Sequence, residues 1–250
     1  MKGVTYMAQK TFRRYELKFI VNKEAFQRIT AELPKYMNLD KHCSDMGTYM
    51  IHNIYFDTPD DEIIQKSLAK PYYKEKLRLR SYTNPIRMGD KVFLELKKKI
   101  GGIVNKRRAT MTYQEAINFI RKREYPKNCS YLDEQVLKEI EVFLNRYSVE
   151  AKAYLSYKRI AYYGKDDREF RVTFDQNILT RREKVNFTSG DYGMELLNNK
   201  YLMEVKIIGA IPLWLAKLLS ELKVYRGGFS KYGEEYKRYL KQKDNILQVV

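Results

Sequence analysis

The chain has 250 residues, with 48 Lys and Arg against 31 Asp and Glu, which gives a formal net charge of +17. A hydrophobic share of 44% beside a charged share of 32% supports a buried core and excludes a disordered polyelectrolyte. With two cysteines, Cys43 and Cys129, and two histidines, His42 and His52, a disulfide framework and a histidine-rich metal site are excluded.

The excess charge implies an anionic partner without naming it. Near the C-terminus the longest charge-free stretch, residues 207–216, is too short to span a bilayer. The first residues lack the apolar core of a secretory signal, so a cytoplasmic protein is expected. No repeat or Pro/Gly/Ser linker divides the chain. It reads as one domain over residues 11–242, with tails at 1–10 and 243–250.

Alternation predicts a strand over 14–21, and helical spacing follows over 23–36 with Asn22 as N-cap. Residues 48–58 are β-rich, and Pro59 opens a short helix to residue 69. Strands are predicted over 74–82, 91–99 and 103–112, the last two joined through Gly101 and Gly102. Thr112 caps a helix to residue 123, and Asp133 starts another that runs to 147. A strand pair over 152–163 and 169–178 flanks Gly164, Lys165 and Asp166. Weaker strands are expected over 184–188 and 194–197, and a strong one over 200–208. Ile211, Trp214, Leu215, Leu218, Leu219 and Leu222 keep helical spacing, and 230–240 reads as a final helix.

Sorting each strand by its period of two places the charge on one face. Arg14, Glu16 and Lys18 oppose Tyr15, Leu17 and Phe19. Lys76, Arg78 and Arg80 oppose Leu77 and Leu79; Glu95, Lys97 and Lys99 oppose Leu94 and Leu96. Lys106 and Arg108 oppose Ala109 and Met111, and Tyr157 and Arg159 oppose Ile160. Arg171, Thr173 and Asp175 oppose Val172 and Phe174; Glu204 and Lys206 oppose Met203, Val205 and Ile207. A sheet with one wet face explains such alternation in general. Here the polar face is unusually cationic, and the arrangement recurs along the whole chain.

A two-residue turn at Gly101-Gly102 pairs Ile100 with Ile103, Lys97 with Lys106 and Glu95 with Arg108. Opposed lysines destabilise a sheet unless an anion lies between them. Leu94 then meets Ala109 and Val92 meets Met111, whereas Arg107 opposite Leu96 has no evident partner. Charged inner faces with apolar outer faces suggest a closed sheet turned inside out, its basic tunnel surrounded by helices. Arg supplies bidentate contacts to phosphate oxygens and Lys a point charge. An isolated carboxylate in such a lining neutralises a neighbouring cation. The recurring Glu-x-Lys pattern of Glu16 and Glu204 favours instead a hard divalent ion bridging phosphate oxygens.

The run Arg13-Arg14-Tyr15-Glu16-Leu17-Lys18-Phe19 resembles the VTC domain, the polyphosphate polymerase domain within the triphosphate tunnel metalloenzymes. So do Tyr55-Phe56-Asp57-Thr58, Lys76-Leu77-Arg78-Leu79-Arg80, Glu95-Leu96-Lys97, Ser156-Tyr157-Lys158-Arg159, Met203-Glu204-Val205-Lys206 and Ser230-Lys231-Tyr232. Arg14 stands where the superfamily hallmark has its first glutamate, which is similar to the polymerase branch and argues against the hydrolase and cyclase branches.

The resemblance implies an α+β fold, a closed antiparallel eight-stranded β-barrel forming a triphosphate tunnel, with helices packed outside. It implies transfer of the ATP γ-phosphate to inorganic polyphosphate, with Mn²⁺ or Mg²⁺. Lys18, Arg78, Arg80, Lys97, Arg159 and Arg171 are expected to grip the triphosphate and the chain. Lys76, Lys106, Arg108, Tyr157, Lys206, Ser230 and Lys231 are expected to contact substrate, and Glu204, with Glu16, the metal. A membrane partner that receives polymer is left open, as is the oligomeric state.

Two other readings stay open: a tunnel triphosphatase, and a non-catalytic binder of polyphosphate or RNA. The cationic strand faces lack an aromatic stacking platform, which argues against nucleic acid. Asp57 and Asp175 read as hydrogen-bonding residues of a turn or the barrel rim, Lys98 as solvated, His42 and His52 as structural, and both cysteines as reduced thiols.

Overall fold

A computed structural model describes residues 14–43 and 47–247. In chain order it contains β1 (Arg14–Val21), α1 (Lys23–Tyr36), β2 (Met37–Leu39), β3 (Tyr49–Asp57), α2 (Glu62–Leu68), β4 (Tyr73–Ser81), β5 (Lys91–Ile100) and β6 (Ile103–Thr112). There follow α3 (Tyr113–Lys122), α4 (Tyr131–Arg146), β7 (Glu150–Gly164), β8 (Arg171–Arg181), β9 (Met194–Glu195), β10 (Tyr201–Ile208), α5 (Leu213–Glu221) and α6 (Lys231–Leu247). The expected tail at 1–10 lies outside the described residues, as does the side chain of Arg14. Helix α6 carries the chain past residue 242.

Local chemistry places several of the boundaries. The Asn22 side-chain oxygen accepts the Ala25 N–H at 2.8 Å and starts α1. Thr112 and Glu115 form a reciprocal capping box at α3. Ser130 caps α4, so that helix begins two residues before Asp133. Asp57 accepts N–H groups of Thr58, Ile63 and Ile64 and the Tyr232 hydroxyl, as its hydrogen-bonding role requires. The expected strand over 184–188 is a loop instead: the Asn186 side chain accepts the N–H groups of Thr188 and Ser189, and this turn chemistry overrides the alternation.

Every strand pairing is antiparallel, and the main path runs β1-β10-β8-β7-β3-β4-β5-β6. Strand β2 adds to β7, and β9 to β8. The β5–β6 register pairs Ile100 with Ile103, Lys97 with Lys106 and Glu95 with Arg108, as the Gly-Gly turn demands. Arg107 finds its partner on a helix: its Nε lies 3.0 Å from Glu139 of α4. Lys98 binds the same carboxylate at 3.2 Å and is therefore ion-paired rather than merely solvated.

The expected closed barrel is corrected by the edges of this sheet. Among the described residues no pairing joins β1 to β6. The edge of β1 away from β10 is met at Lys18 and Phe19 by the segment leading into α6. Phe19 bridges to Arg226, and the Gly227 N–H donates to the Lys18 carbonyl at 2.9 Å. These contacts occupy the β1 edge at Lys18 and Phe19, where a barrel-closing strand would otherwise pair.

The sheet nevertheless curls strongly. Lys97 of β5 and Glu16 of β1 stand far apart in strand order, yet the Lys97 charge acts on the Glu16 carboxyl. Helices α3 and α4 bury the apolar face of β4, β5 and β6, while α1 and α5 bury that of β1, β8 and β10. Helix α6 departs from the expected outside position. Its Tyr232 and Tyr236 pack with Tyr55, Leu155, Tyr157 and Leu202, whose side chains share the concave, polar face. No helix among the described residues is long and apolar enough to cross a membrane.

Candidate active site

The concave face is organised by three buried carboxylates, each surrounded by cations. Glu95, 1% exposed, accepts from Arg78 Nε at 2.6 Å and from Arg108 Nε at 2.8 Å, with Lys106 Nζ at 2.7 Å. Burial works against its charge, but Arg78, Arg80 and Lys106 hold its pKa well below the carboxylate range. Asp175, fully buried, takes both Nε (2.6 Å) and Nη2 (2.7 Å) of Arg159, and Lys231 Nζ at 2.5 Å. It lies at the centre of the cluster, not at a rim.

Glu204 receives Arg159 Nη2 at 3.3 Å, Lys231 Nζ at 3.2 Å and Lys18 Nζ at 3.4 Å. Against burial, Lys231, Lys18 and Arg159 press its pKa well down. Glu16 sits 3.2 Å from the same Lys18. Burial and Glu204 push its proton affinity up, but Lys18, Lys97 and Lys206 leave it lowered.

Tyrosines line the space between these groups. Tyr157 accepts from Arg80 Nη2 at 3.4 Å, and its ring lies 4.6 Å from Lys231 Nζ. Tyr55, stacked on Tyr232, accepts from Arg78 Nη1 at 3.2 Å. Burial opposes ionisation of Tyr55, yet Arg78, Arg80 and Lys231 bring its pKa down to about 8. Asn53 holds Arg80 through its Nε at 3.0 Å, and the Phe229 carbonyl accepts from Lys18 Nζ at 3.0 Å. Ser230 accepts the Gly233 N–H as cap of α6, and Lys76 Nζ approaches its hydroxyl at 3.4 Å.

The cluster thus brings together Glu16, Lys18, Lys76, Arg78, Arg80, Lys97, Lys106, Arg108, Tyr157, Arg159, Glu204, Lys206, Ser230 and Lys231. Arg171 is the exception: it is exposed and turns to Asp40, with Nη2 2.8 Å from the carboxylate. Sequence reasoning quoted Tyr55 within a motif without giving it a role, and missed Asn53 and the central place of Asp175. Tyr55 and Asn53 alternate on one strand face, a signal that was available; the depth of Asp175 had none.

Lys97 and Lys206 form no ion pair among the described residues, and both have lowered pKa values. Burial lowers Lys97, aided by Lys18 and Arg78 against Glu16; burial lowers Lys206, aided by Arg159 and Lys97 against Glu204 and Glu16. Burial with Lys74, Lys97 and Lys18 brings Lys76 to about 8, and burial with Arg78 and Arg80 brings Lys106 to about 7 despite Glu95. Cations so crowded are poised to accept a polyanion, whose charge restores their protonation.

The pH dependence has a defined sign. Lys76 and Lys106 bind more protons in the unfolded chain than in the folded one between about pH 7 and 10, so stability rises with pH there. The Tm of the ligand-free protein is expected to climb from pH 7 to 9. Over the same range tripolyphosphate should bind more weakly with proton uptake, readable by calorimetry in buffers of different ionisation enthalpy. A flat affinity from pH 7 to 9 would remove these lysines from the binding face.

Among the described residues no group of three or more His, Cys, Asp or Glu is placed to cage a metal. Glu16 and Glu204, flanking Lys18, form a two-carboxylate set. Both are hard oxygen donors of the kind a divalent cation takes, and Lys18 Nζ, 3.2 Å from one and 3.4 Å from the other, is their shared counter-charge.

Comparison with curated proteins found no match. Among solved structures, a candidate adenylate cyclase from Bacillus halodurans is 17% identical, with a TM-score of 0.51 over 86% of this chain and 92% of its own. A candidate adenylyl cyclase from Hippeastrum with a dominant triphosphatase activity is 18% identical, with a TM-score of 0.50 over 88% of this chain and 93% of its own. These two share the fold. The VTC domain matches residues 13–240, a span that takes in every strand and helix supplying the cluster. The strand motifs and the match agree, and the chain belongs to the VTC domain family.

Proposed function

We propose that this protein is a polyphosphate polymerase that transfers the γ-phosphate of ATP to a growing inorganic polyphosphate chain on the concave face. The saturation of that face's buried carboxylates by cations carries the reading. Glu95 and Glu204 are both held far from the basicity needed to activate water. An ionised phosphate acceptor needs no base. Its oxygen forms a bond to the γ-phosphorus as the bond to the bridging β–γ oxygen breaks, and ADP leaves with that electron pair.

Phosphoryl transfer asks a protein chiefly for positioning and for charge stabilisation on the equatorial oxygens. Arg78, Arg80, Lys97, Arg159, Lys231 and Lys18 supply the fixed positive charge, and Lys76, Lys106, Arg108 and Lys206 extend it along the face. Tyr157 and Ser230 add hydroxyl donors. Arg171 belongs to the approach rather than to the reacting centre, since it lies at an exposed end. Glu16 and Glu204 would hold a divalent ion, which supplies Lewis-acid neutralisation of the phosphates when bound.

The test is incubation of the purified protein with ATP and Mn²⁺ or Mg²⁺, with products separated on a polyphosphate-staining gel and by phosphate assay. Long chains with ADP are expected. Orthophosphate alone identifies a triphosphatase, the activity of the Hippeastrum relative. Polyphosphate bound without turnover identifies a binding module.

A further inference from the structure

The end of the sheet where β5 turns into β6 carries an apolar point with lysines close by in the chain and across the strands. Ile103 is 69% exposed, Val104 48% and Ile100 46%, and beside them Tyr72 is 77% exposed. The two segments form one surface. The Gly101 N–H donates to the Tyr72 carbonyl at 2.9 Å, and Tyr73 stands opposite Ile100 in the β4–β5 register. The Tyr72 ring comes within 3.0 Å of the place a Cβ on Gly101 would take.

The charge around this point has one sign. Neither 66–74 nor 96–114 contains an Asp or Glu. Glu75 is buried and held by Tyr73 and Arg146, while Glu139 is taken by Lys98 and Arg107. Lys70, Lys74 and Lys99 have no carboxylate partner among the described residues. A hairpin tip is convex, so a protein would need a matching cavity to cover it. A bilayer interface needs only apolar side chains at the acyl boundary and cations at the headgroups.

We infer that the β5–β6 tip docks on an anionic lipid surface. Ile100, Ile103, Val104 and Tyr72 enter the interface, and Lys70, Lys74 and Lys99 meet the headgroups. The inference stands on the exposed tip and its collar of charge, and does not depend on the reaction assigned to the concave face. Opposite charges at a surface are screened by salt, so the attachment weakens as ionic strength rises.

The full chain is tested against vesicles of phosphatidylcholine alone and of phosphatidylcholine with phosphatidylserine. Wild-type protein is expected to float with the anionic vesicles and not with the neutral ones. The Ile103→Trp variant should gain emission that shifts to the blue and is quenched by brominated acyl chains. The Ile103→Ser/Val104→Ser double variant should lose anionic-vesicle binding by about fivefold or more, with tripolyphosphate affinity unchanged.

Four results overturn the inference: no wild-type flotation, a double variant that floats like wild type, added emission in the Ile103→Trp variant that escapes quenching, or flotation abolished by saturating tripolyphosphate. The last places the headgroups in the concave face instead. A double variant that converts a dimer to a monomer in sedimentation, with no lipid bound by wild type, assigns the tip to a second copy of the chain.

Discussion

Glu204→Gln is expected to lower the rate of polymer formation by roughly 10²- to 10³-fold while polyphosphate binding stays constant or tightens. The asymmetry follows from the neighbours of this carboxylate. Lys18, Arg159 and Lys231 all lie within 3.4 Å of its oxygens, so neutralising it leaves those cations freer for the anion. What the substitution removes is the carboxylate that, with Glu16, would hold a divalent ion against the phosphates. Steady-state rates at saturating Mn²⁺ and titration with fluorescently labelled polyphosphate separate the two effects. A variant with wild-type rate would reduce Glu204 to a local charge neutraliser.

The second large effect concerns Arg159, which binds Asp175 through two bonds and reaches Glu204 with the same guanidinium. Arg159→Ala leaves Asp175 buried with Lys231 as its remaining ion-pair partner, and breaking a buried pair from one side costs about 3–5 kcal/mol. The expected reading is a Tm lower by roughly 10 °C for a chain of this size, together with loss of polymer synthesis. Arg159→Met/Asp175→Leu removes both partners and should regain a substantial part of the stability without regaining activity. This pair of variants distinguishes a cluster kept for phosphate from one kept for folding. Equal recovery of both properties would assign Arg159 to the fold alone.

Much of the site is legible in the amino-acid sequence because its chemistry is written at short range. The alternation of Lys76, Arg78 and Arg80 with Leu77 and Leu79 puts charge and core on opposite faces whatever the neighbouring strands are. The Gly101-Gly102 turn fixes its own register, so Glu95 opposite Arg108 and Lys97 opposite Lys106 followed from counting residues. Arg107 shows where that reasoning ends. Its partner, Glu139, lies on a helix whose packing angle has no trace in the hairpin.

Asp175 shows the same boundary from the other side. As one polar residue in an alternating strand it reads as rim chemistry. Its centrality comes from Lys231, 56 positions away in the chain, delivered by a helix that enters the concave face. Arg171, four residues earlier on the same strand face, reads as equivalent to the others and is drawn aside by Asp40.

The balance of +17 and the period-two sorting of charge were properties of the chain alone, as were the caps at Asn22 and Thr112, because each depends on groups a few bonds or one turn apart. Whether the curled sheet closes was decided by tertiary structure. The segment at 226–229 meets the edge of β1 at Lys18 and Phe19 and leads α6 into the concave face, and no pairing joins β1 to β6 among the described residues. The same chain reversal sets Lys231 between Asp175 and Glu204. Edge pairing and the docking of a distant helix are contests between long-range partners, settled by packing and loop closure, and a local pattern contains neither.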